Sequence, residues 1–180
     1  MNILLIHQNF PGQYKHLGPA LTARGNRVLA LTPKVKTSHQ WQGVEVVPYV
    51  MNRSSSKDIH RWLGDLESKI IRAESCFDAA VKIRQFFTPD VILAHPGWGE
   101  LMFLHDIWPK ARIGLYCEWY REEALAAEGF DPEFPVAEQE TAIQRLRFRN
   151  LNAALHVDMA TAGITPTRFQ FAIYPRSGRI

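Results

Sequence analysis

The sequence lacks the short motifs by which several large enzyme classes are recognised. No GxGxxG follows the first predicted strand, which argues against NAD or FAD, and no GxxxxGK[ST] occurs, which removes a P-loop nucleotide site. GxSxG is absent too, so a serine hydrolase of the usual α/β type is disfavoured. The seven histidines show neither HxH nor HExxH spacing, and the acids form no paired ligand pattern. We therefore expect no metal site and no cofactor.

Cysteines, excess charge and long apolar runs are also scarce. The two cysteines, Cys76 and Cys117, form no CxxC, which favours free thiols in a reducing cytoplasm. The 21 basic against 18 acidic residues leave a charge of +3, too small an excess to predict nucleic acid binding. No run reaches the roughly 18 apolar residues of a membrane span, and the N-terminus shows no basic leader or cleavage site. We expect a cytoplasmic protein.

Short apolar runs alternate with helical patterns along the chain. Runs typical of buried strands lie at 2–7, 27–32, 44–50, 91–94 and 112–120, and a further strand is predicted within 154–166. Helical spacing covers 14–23, 57–87, 101–108 and 136–154, with Ser56 as the expected N-cap of the long helix. Residues 121–135 are rich in Glu, Gly and Pro, and we expect them to be irregular. The strands are apolar throughout, so we predict one α/β domain, 1–180, with a Rossmann-like parallel sheet and helices on both faces.

Unusual residues follow three of the predicted strands. Ligands of open parallel sheets bind outside the carboxyl ends of the strands, so these three loops are expected to line one cleft. The first loop supplies Gly12 and Gln13, the second His95, Gly97, Trp98 and Glu100, and the third Glu118, Trp119 and Tyr120.

The second loop, HPGWGE, is suited to a sugar ring. The plane of Trp98 can stack on the C–H face of the ring while Glu100 accepts hydrogen bonds from its hydroxyls, and Gly97 lets a ligand approach the backbone. A lone histidine such as His95 is more often structural than catalytic.

The other two loops also have ordinary structural interpretations. Gly12 is explained equally well by a tight turn or by backbone N–H groups that hold an anion. Glu118 is a candidate carboxylate for a reacting hydroxyl, whereas Trp119 and Tyr120 could simply pack in the core. Cys117 is a poor nucleophile candidate because nothing in the sequence lowers its pKa. The basic segment RLRFR, 145–149, is more typical of the solvated end of a helix than of a surface that binds phosphate or anionic lipid.

Four segments together resemble one known family. NILLIHQNFPGQYKHL, AHPGWGE, YCEWY and AGITPTRFQ, in that order, are similar to a bacterial group within glycosyltransferase family 4. The resemblance implies a GT-B enzyme with two Rossmann-like domains, an N-terminal one for the acceptor and a C-terminal one for a nucleotide-sugar donor. It also implies retention of anomeric configuration and no metal in the site. Many relatives in the wider family carry a histidine near the end of the strand that here reads LYCEWY. Glu118 occupies that region in this chain, so a histidine-based role is not carried over.

The resemblance implies that these 180 residues are the acceptor-side domain of a retaining hexosyltransferase. The chain ends at Ile180, about where the donor-binding domain would begin, so we expect that domain to be absent and the isolated chain to be inactive. Gly12 and Gln13 would face the sugar-phosphate of the donor. His95, Trp98 and Glu100, with Glu118, would position the hydroxyl of a saccharide or lipid-linked acceptor. Peripheral contact with the inner membrane face, and self-association through an uncovered inter-domain surface, are further expectations.

Two other functions remain open from the residues alone. The same fold could serve as a non-enzymatic module that binds a ligand or partner. It could also be a small flavodoxin-like hydrolase that uses Glu118 and His95.

Overall fold

A seven-stranded sheet organises the computed structural model, which describes residues 1–121, 133 and 141–174. Its order is β3-β4-β2-β1-β5-β6-β7, and every neighbouring pair is parallel except β3 and β4. The strands are β1 (Asn2–Ile6), β2 (Arg27–Thr32), β3 (His39–Trp41), β4 (Val44–Pro48), β5 (Val91–Ala94), β6 (Arg112–Tyr116) and β7 (Ala162–Ile164). The predicted parallel sheet is confirmed.

Helices cover both faces of this sheet, as predicted. They are α1 (Leu17–Ala23), α2 (Gly64–Ile83), α3 (Leu104–Ile107), α4 (Ala142–Met159) and α5 (Arg168–Ile173), and a 3-10 turn spans Gly12–Tyr14. Along β1, Leu4 and Ile6 join a cluster that includes Ala80 of α2, whereas Ile3 and Leu5 face the opposite cluster. Burying each large aliphatic side chain contributes about 1.5–3 kcal/mol, so these two layers account for the strands being apolar on both faces.

The N-terminal boundary of the long helix was predicted wrongly. Helix α2 begins at Gly64, and its N-cap Leu63 has no capping side chain, so Ser56 is not the cap. Ser56 lies eight positions earlier, where its backbone N–H donates to Glu67 Oε2 at 2.8 Å. The carboxylate of Glu67, in the first turn of α2, therefore binds the backbone of the preceding loop.

The strand predicted within 154–166 is present but shorter than expected, because the first six of these residues are helical. Helix α4 continues to Met159, where Leu146, Ala153 and Val157 keep one buried face at helical spacing, and strand β7 is limited to Ala162–Ile164. The RLRFR segment consequently lies inside α4 and not at its end. The predicted irregular segment and the start of the predicted helix 136–154 fall largely outside the described residues.

Strand β3 was missed. It pairs antiparallel with β4 across a two-residue turn at Gln42 and Gly43, which have φ values of 47° and 85°. Positive φ at both central residues is typical of the tight hairpin turns that suit strand twist. A three-residue strand carries too few alternating positions to be recognised from its apolar pattern.

Candidate functional site

The loops that follow β1, β5 and β6 meet at one edge of the sheet. These strands are adjacent in the order β1-β5-β6, and their carboxyl ends point the same way. A cleft of about 630 Å³ opens there, lined by His95, Gly97, Trp98, Glu118 and Trp119 together with side chains of α2 and α4. The structure therefore brings the second and third predicted loops together.

Glu118 is the point at which the three loops are joined. Its Oε2 accepts a hydrogen bond from His95 Nε2 at 3.2 Å and one from Gln13 Nε2 at 3.4 Å. The Glu118 side chain is 46% exposed, whereas that of His95 is 8% exposed. The Glu118 carboxylate, which faces the cleft, is thus held by two hydrogen-bond donors from the loops after β1 and β5.

His7 extends this network; it begins the first predicted loop, but the sequence assigned it no role. Its Nδ1 accepts the backbone N–H of Asn9 at 3.0 Å, so Nε2 carries the proton and donates to Gln13 Oε1. Hydrogen bonds therefore run from His7 to Gln13 to Glu118. The available signal was an ionisable residue directly after a buried strand, and His7 is 3% exposed.

The two histidines of the network are neutral donors. His95 Nδ1 accepts the backbone N–H of Gly97 at 3.0 Å, which leaves Nε2–H to donate to Glu118. Burial is the main cause that lowers the pKa of His95, partly offset by Glu118, and burial followed by His95 and Lys34 lowers the pKa of His7 to about 4. Both ring nitrogens of His95 are occupied, so Glu118 is the better proton acceptor of the pair. This geometry argues against a hydrolase with His95 as its base.

Trp98 contacts the rings of both histidines. Its indole stacks on the His95 ring with centroids 4.6 Å apart and forms a T-shaped pair with the His7 ring at a centroid distance of 4.5 Å. Arg72 of α2 donates from Nη1 to the Trp98 carbonyl at 2.8 Å. The aromatic plane therefore enters the cleft in one orientation.

The glycines of these loops make room for protein groups. A Cβ at Gly12, where φ is +42°, would collide with the His7 ring, and one at Gly97 would lie 2.9 Å from His95 Cε1. Gly99, with φ +93°, leaves room for the backbone oxygen of Lys69, which a Cβ would approach to 2.5 Å. The sequence predicted that Gly97 admits a ligand to the backbone; on its Cβ side, that space holds the imidazole of His95.

Glu100 lies beneath the cleft and does not line it. It is 3% exposed and accepts the phenolic O–H of Tyr49 at 2.9 Å. Burial raises its pKa to about 7, against the opposing effects of a backbone hydrogen bond, Arg72 and Tyr49. The positive φ of Gly99 accompanies the turn of the chain towards α2 just before this residue. The structure thus gives no support to direct contact between Glu100 and a ligand.

The third loop divides its aromatic residues between cleft and core. Trp119 lines the cleft, is 43% exposed, and lies 6.1 Å from the ring of Phe169. Tyr120 packs on Tyr174 with ring centroids 5.5 Å apart, so it supports the loop from behind. Cys117 is buried, and burial raises its thiol pKa to about 11, which leaves it unreactive.

Asn152 attaches helix α4 to the HPGWGE loop. It is 1% exposed, and its Nδ2 donates to the Pro96 carbonyl at 2.6 Å. Its backbone carbonyl accepts a hydrogen bond from His156 Nδ1. Among the residues that the structure describes, no group of three or more potential metal ligands occurs, and no helix has the length and apolarity to cross a bilayer.

An α/β sheet with polar groups gathered at its carboxyl edge, the edge at which ligands of such sheets bind, is typical of a Rossmann-like domain. The family model described as "Glycosyl transferase family 4 group" matches residues 24–179, and the chain belongs to this glycosyltransferase family. No curated protein matches the chain.

Two solved structures of low sequence identity are similar to the chain. One is a sucrose-phosphate synthase from Thermosynechococcus elongatus, 16% identical, with a TM-score of 0.53 and alignment over 98% of this chain and 82% of that one. The other is titled as a UDP-N-acetylglucosamine 2-epimerase from Listeria monocytogenes, 14% identical, with a TM-score of 0.49 over 94% of this chain and 40% of that one. At these identities the first likeness shows the fold alone, and it confirms the predicted GT-B type of domain.

Proposed function

We propose that this chain is the acceptor-side domain of a retaining glycosyltransferase that moves a hexose from a nucleotide sugar to an acceptor hydroxyl. The observation that carries the proposal is the convergence of Gln13, His95 and Glu118 from three strand ends beside Trp98. Membership of a glycosyltransferase family makes glycosyl transfer the chemistry that such a site would serve.

In the proposed reaction, Glu118 binds and orients the acceptor. Its carboxylate accepts a hydrogen bond from the attacking hydroxyl and aims that oxygen at the anomeric carbon of the donor. His95 and Gln13 act through Glu118, because both donate to its Oε2 and so restrict its rotation. Trp98 offers its indole to the C–H face of the acceptor sugar. His95 is therefore assigned a positioning role.

The donor is proposed to approach from across the cleft. Gly12 is exposed and Gln13 is partly exposed, and both lie on the loop after β1, where backbone N–H groups can meet the sugar-phosphate. Most contacts to the nucleotide are assigned to a second Rossmann-like unit, since the described residues form one sheet only. The chain alone is then expected to be inactive.

The same proposal extends to the acceptor, the location and the other partners of the protein. The acceptor is a saccharide or a lipid-linked saccharide, and the protein acts in the cytoplasm, in peripheral contact with the inner membrane face. Three exposed aromatic side chains, Trp119, Phe169 and Phe171, favour an interaction surface here. We propose that either the donor-binding unit or a second copy of the chain covers it.

Titration calorimetry of the 180-residue chain tests the proposal. UDP-glucose and GDP-mannose should bind weakly or not at all, because the acceptor side supplies few donor contacts. Oligosaccharides that contain hexoses should release measurable heat, and Trp98→Leu should remove it. Tight binding of a nucleotide sugar by this chain alone would contradict the acceptor-side assignment.

A further inference from the structure

Cationic side chains gather in the cleft beside Glu118. Among the described residues that line this cleft, four are cationic, Lys69, Arg72, Arg121 and Arg149, and two are carboxylates, Asp65 and Glu118. Four minus two leaves an excess of +2 for these residues. The described lining is therefore cationic where the proposed acceptor would lie.

Helix α2 forms one wall of this cationic cleft. Lys69 and Arg72 stand one helical turn apart, and the Lys69 side chain is only 14% exposed. Lys69 Nζ lies 2.7 Å from Asp65 Oδ2, and Arg72 Nη1 donates to the Trp98 carbonyl. These contacts hold both cations at the cleft wall, Arg72 against the backbone of Trp98 and Lys69 against Asp65.

The loop after β6 and helix α4 form the other wall. The backbone N–H of Arg121 donates to Asn150 Oδ1 at 3.1 Å, and Asn150 Nδ2 donates back to the Arg121 carbonyl at 2.5 Å. This reciprocal pair fixes the backbone of Arg121 beside Arg149, the residue that precedes Asn150 on α4. Cations therefore approach the space from two sides.

The two carboxylates among the described lining residues are already engaged by other groups. Asp65 pairs with Lys69, and Glu118 accepts from Gln13 and His95, so neither is placed by these contacts against Arg121. Arginine presents a planar set of donors that matches phosphate oxygens, and charge-assisted hydrogen bonds of this kind are the strong ones. The volume, about 630 Å³, falls within the roughly 300–1,000 Å³ typical of small-ligand sites.

We infer that this cleft binds a phosphoryl group, held between Lys69 and Arg72 on one wall and Arg121 on the other. On the proposed function, the acceptor is therefore a phosphorylated saccharide, with its sugar on Trp98 and its phosphate among the cations. The same chemistry could be presented by a soluble sugar phosphate or by a phosphate-bearing lipid headgroup. The inference depends on the proposed function only in calling this ligand the acceptor.

Titration of the isotope-labelled chain with inorganic phosphate tests the inference, followed by the indole resonance of Trp98 and the amide of Arg121. Saturable shifts are expected, and they should weaken as salt is added. Lys69→Gln and Arg121→Gln should each weaken phosphate binding about tenfold. Lys82→Gln is the matched control, because Lys82 is exposed on the last turn of α2 and does not line the cleft. Circular dichroism establishes that each variant is folded. If one cleft variant fails to fold, the other still tests the inference.

Two further arms identify the source of the phosphate. A hexose phosphate that binds more tightly than inorganic phosphate, while the free hexose binds less tightly, would support a soluble acceptor. A lipid headgroup would be supported if the chain sediments with phosphatidylcholine vesicles only when they contain phosphatidic acid. Both cleft variants should then lose this co-sedimentation. The inference is overturned if none of the three probes binds saturably, or if Lys82→Gln weakens binding as much as Lys69→Gln. Phosphate binding that gains nothing from a hexose, whether the hexose is attached to the phosphate or added as a neutral saccharide, would leave this inference standing and remove the proposed function.

Discussion

His95 Nε2 and Glu118 Oε2 lie 3.2 Å apart and join the loop after β5 to the loop after β6. Because His95 Nδ1 already accepts the N–H of Gly97, the ring must donate to the carboxylate. The carboxylate in turn stabilises any proton on the imidazole. The two residues therefore influence each other's electrostatics, which can be measured without knowing the substrate.

Glu118→Gln is predicted to lower the pKa of His95 further. Burial lowers this pKa, and the hydrogen bond and charge of Glu118 oppose that effect, so removing the charge leaves burial with less opposition. Titration of the His95 ring protons by NMR measures the change. Asp65→Asn removes another carboxylate of the same cleft and should leave the His95 titration nearly unchanged. Equal shifts in both variants would mean that the contact with Glu118 is not the cause.

Gly12→Ala is predicted to destabilise the fold and displace His7. Alanine in the left-handed region costs about 1–2 kcal/mol, and at Gly12 its Cβ would also collide with the imidazole. Gly25→Ala is the matched control, since φ there is +78° and no atom lies within 4 Å of the added Cβ. Urea denaturation should show a larger loss for Gly12→Ala, accompanied by altered His7 ring resonances. Equal losses would indicate that the ring does not occupy this space.

Glu100→Gln is predicted to change how stability depends on pH. The pKa of Glu100 is about 7 in the folded chain against 4.5 for an ordinary carboxyl, so folding favours its protonated form. The wild-type chain therefore loses stability as the pH rises from 4.5 to about 7, by roughly 3 kcal/mol in total. Glutamine can still accept the O–H of Tyr49 and carries no charge, so the variant should lack this loss.

Urea denaturation of both proteins across this pH range measures the difference between their free energies of unfolding. That difference should grow in favour of Glu100→Gln as pH rises and then level off. Because His7 has a lowered pKa, it contributes the opposite slope, but it does so in both proteins and cancels. A difference that stays constant with pH would contradict the buried, pKa-shifted carboxyl.

Asn152→Ala is predicted to loosen the HPGWGE loop. Removal of Nδ2 leaves the Pro96 carbonyl without this partner, which costs about 1–3 kcal/mol for a buried group. Leu155→Ala, one turn along α4 at a residue that is 51% exposed, should cost less than about 0.5 kcal/mol. Thermal denaturation compares the two, and amide hydrogen exchange at Gly97 and Trp98 reports on the loop. Equal stabilities would show that Asn152 does not anchor it.

The sheet could be predicted because most of its strands are short apolar runs that are recognisable from composition. Residues 27–32 and 91–94 are apolar on both faces, and the structure places β2 and β5 at these positions. Strand β3 and the end of α4 could not be assigned in this way. Strand β3, His39–Trp41, depends on pairing with β4, which the segment's own composition does not reveal. The apolar positions of 154–159 fit either a helix or a strand unless the residues that pack against them are known.

The candidate site was predictable in its location and less so in its contacts. Adjacent parallel strands bring their carboxyl ends together, so the meeting of His95, Trp98 and Glu118 follows from topology. Burial of Glu100 does not, because it depends on the turn at Gly99 and on Tyr49 of a different loop. His7 was assigned no role from the sequence, because its role depends on contacts with the Gln13 side chain and the Asn9 backbone, which only the three-dimensional structure shows.

Chemical-shift mapping with a panel of hexose-containing saccharides tests most directly whether this edge of the sheet is the acceptor site. The indole resonances of Trp98 and Trp119 should move in a saturable way, together with the ring of His95. Those of Trp41 and Trp62, which do not line the cleft, should stay in place. If every saccharide leaves Trp98 unmoved, or shifts Trp41 as strongly, the acceptor cleft is not where these three loops meet.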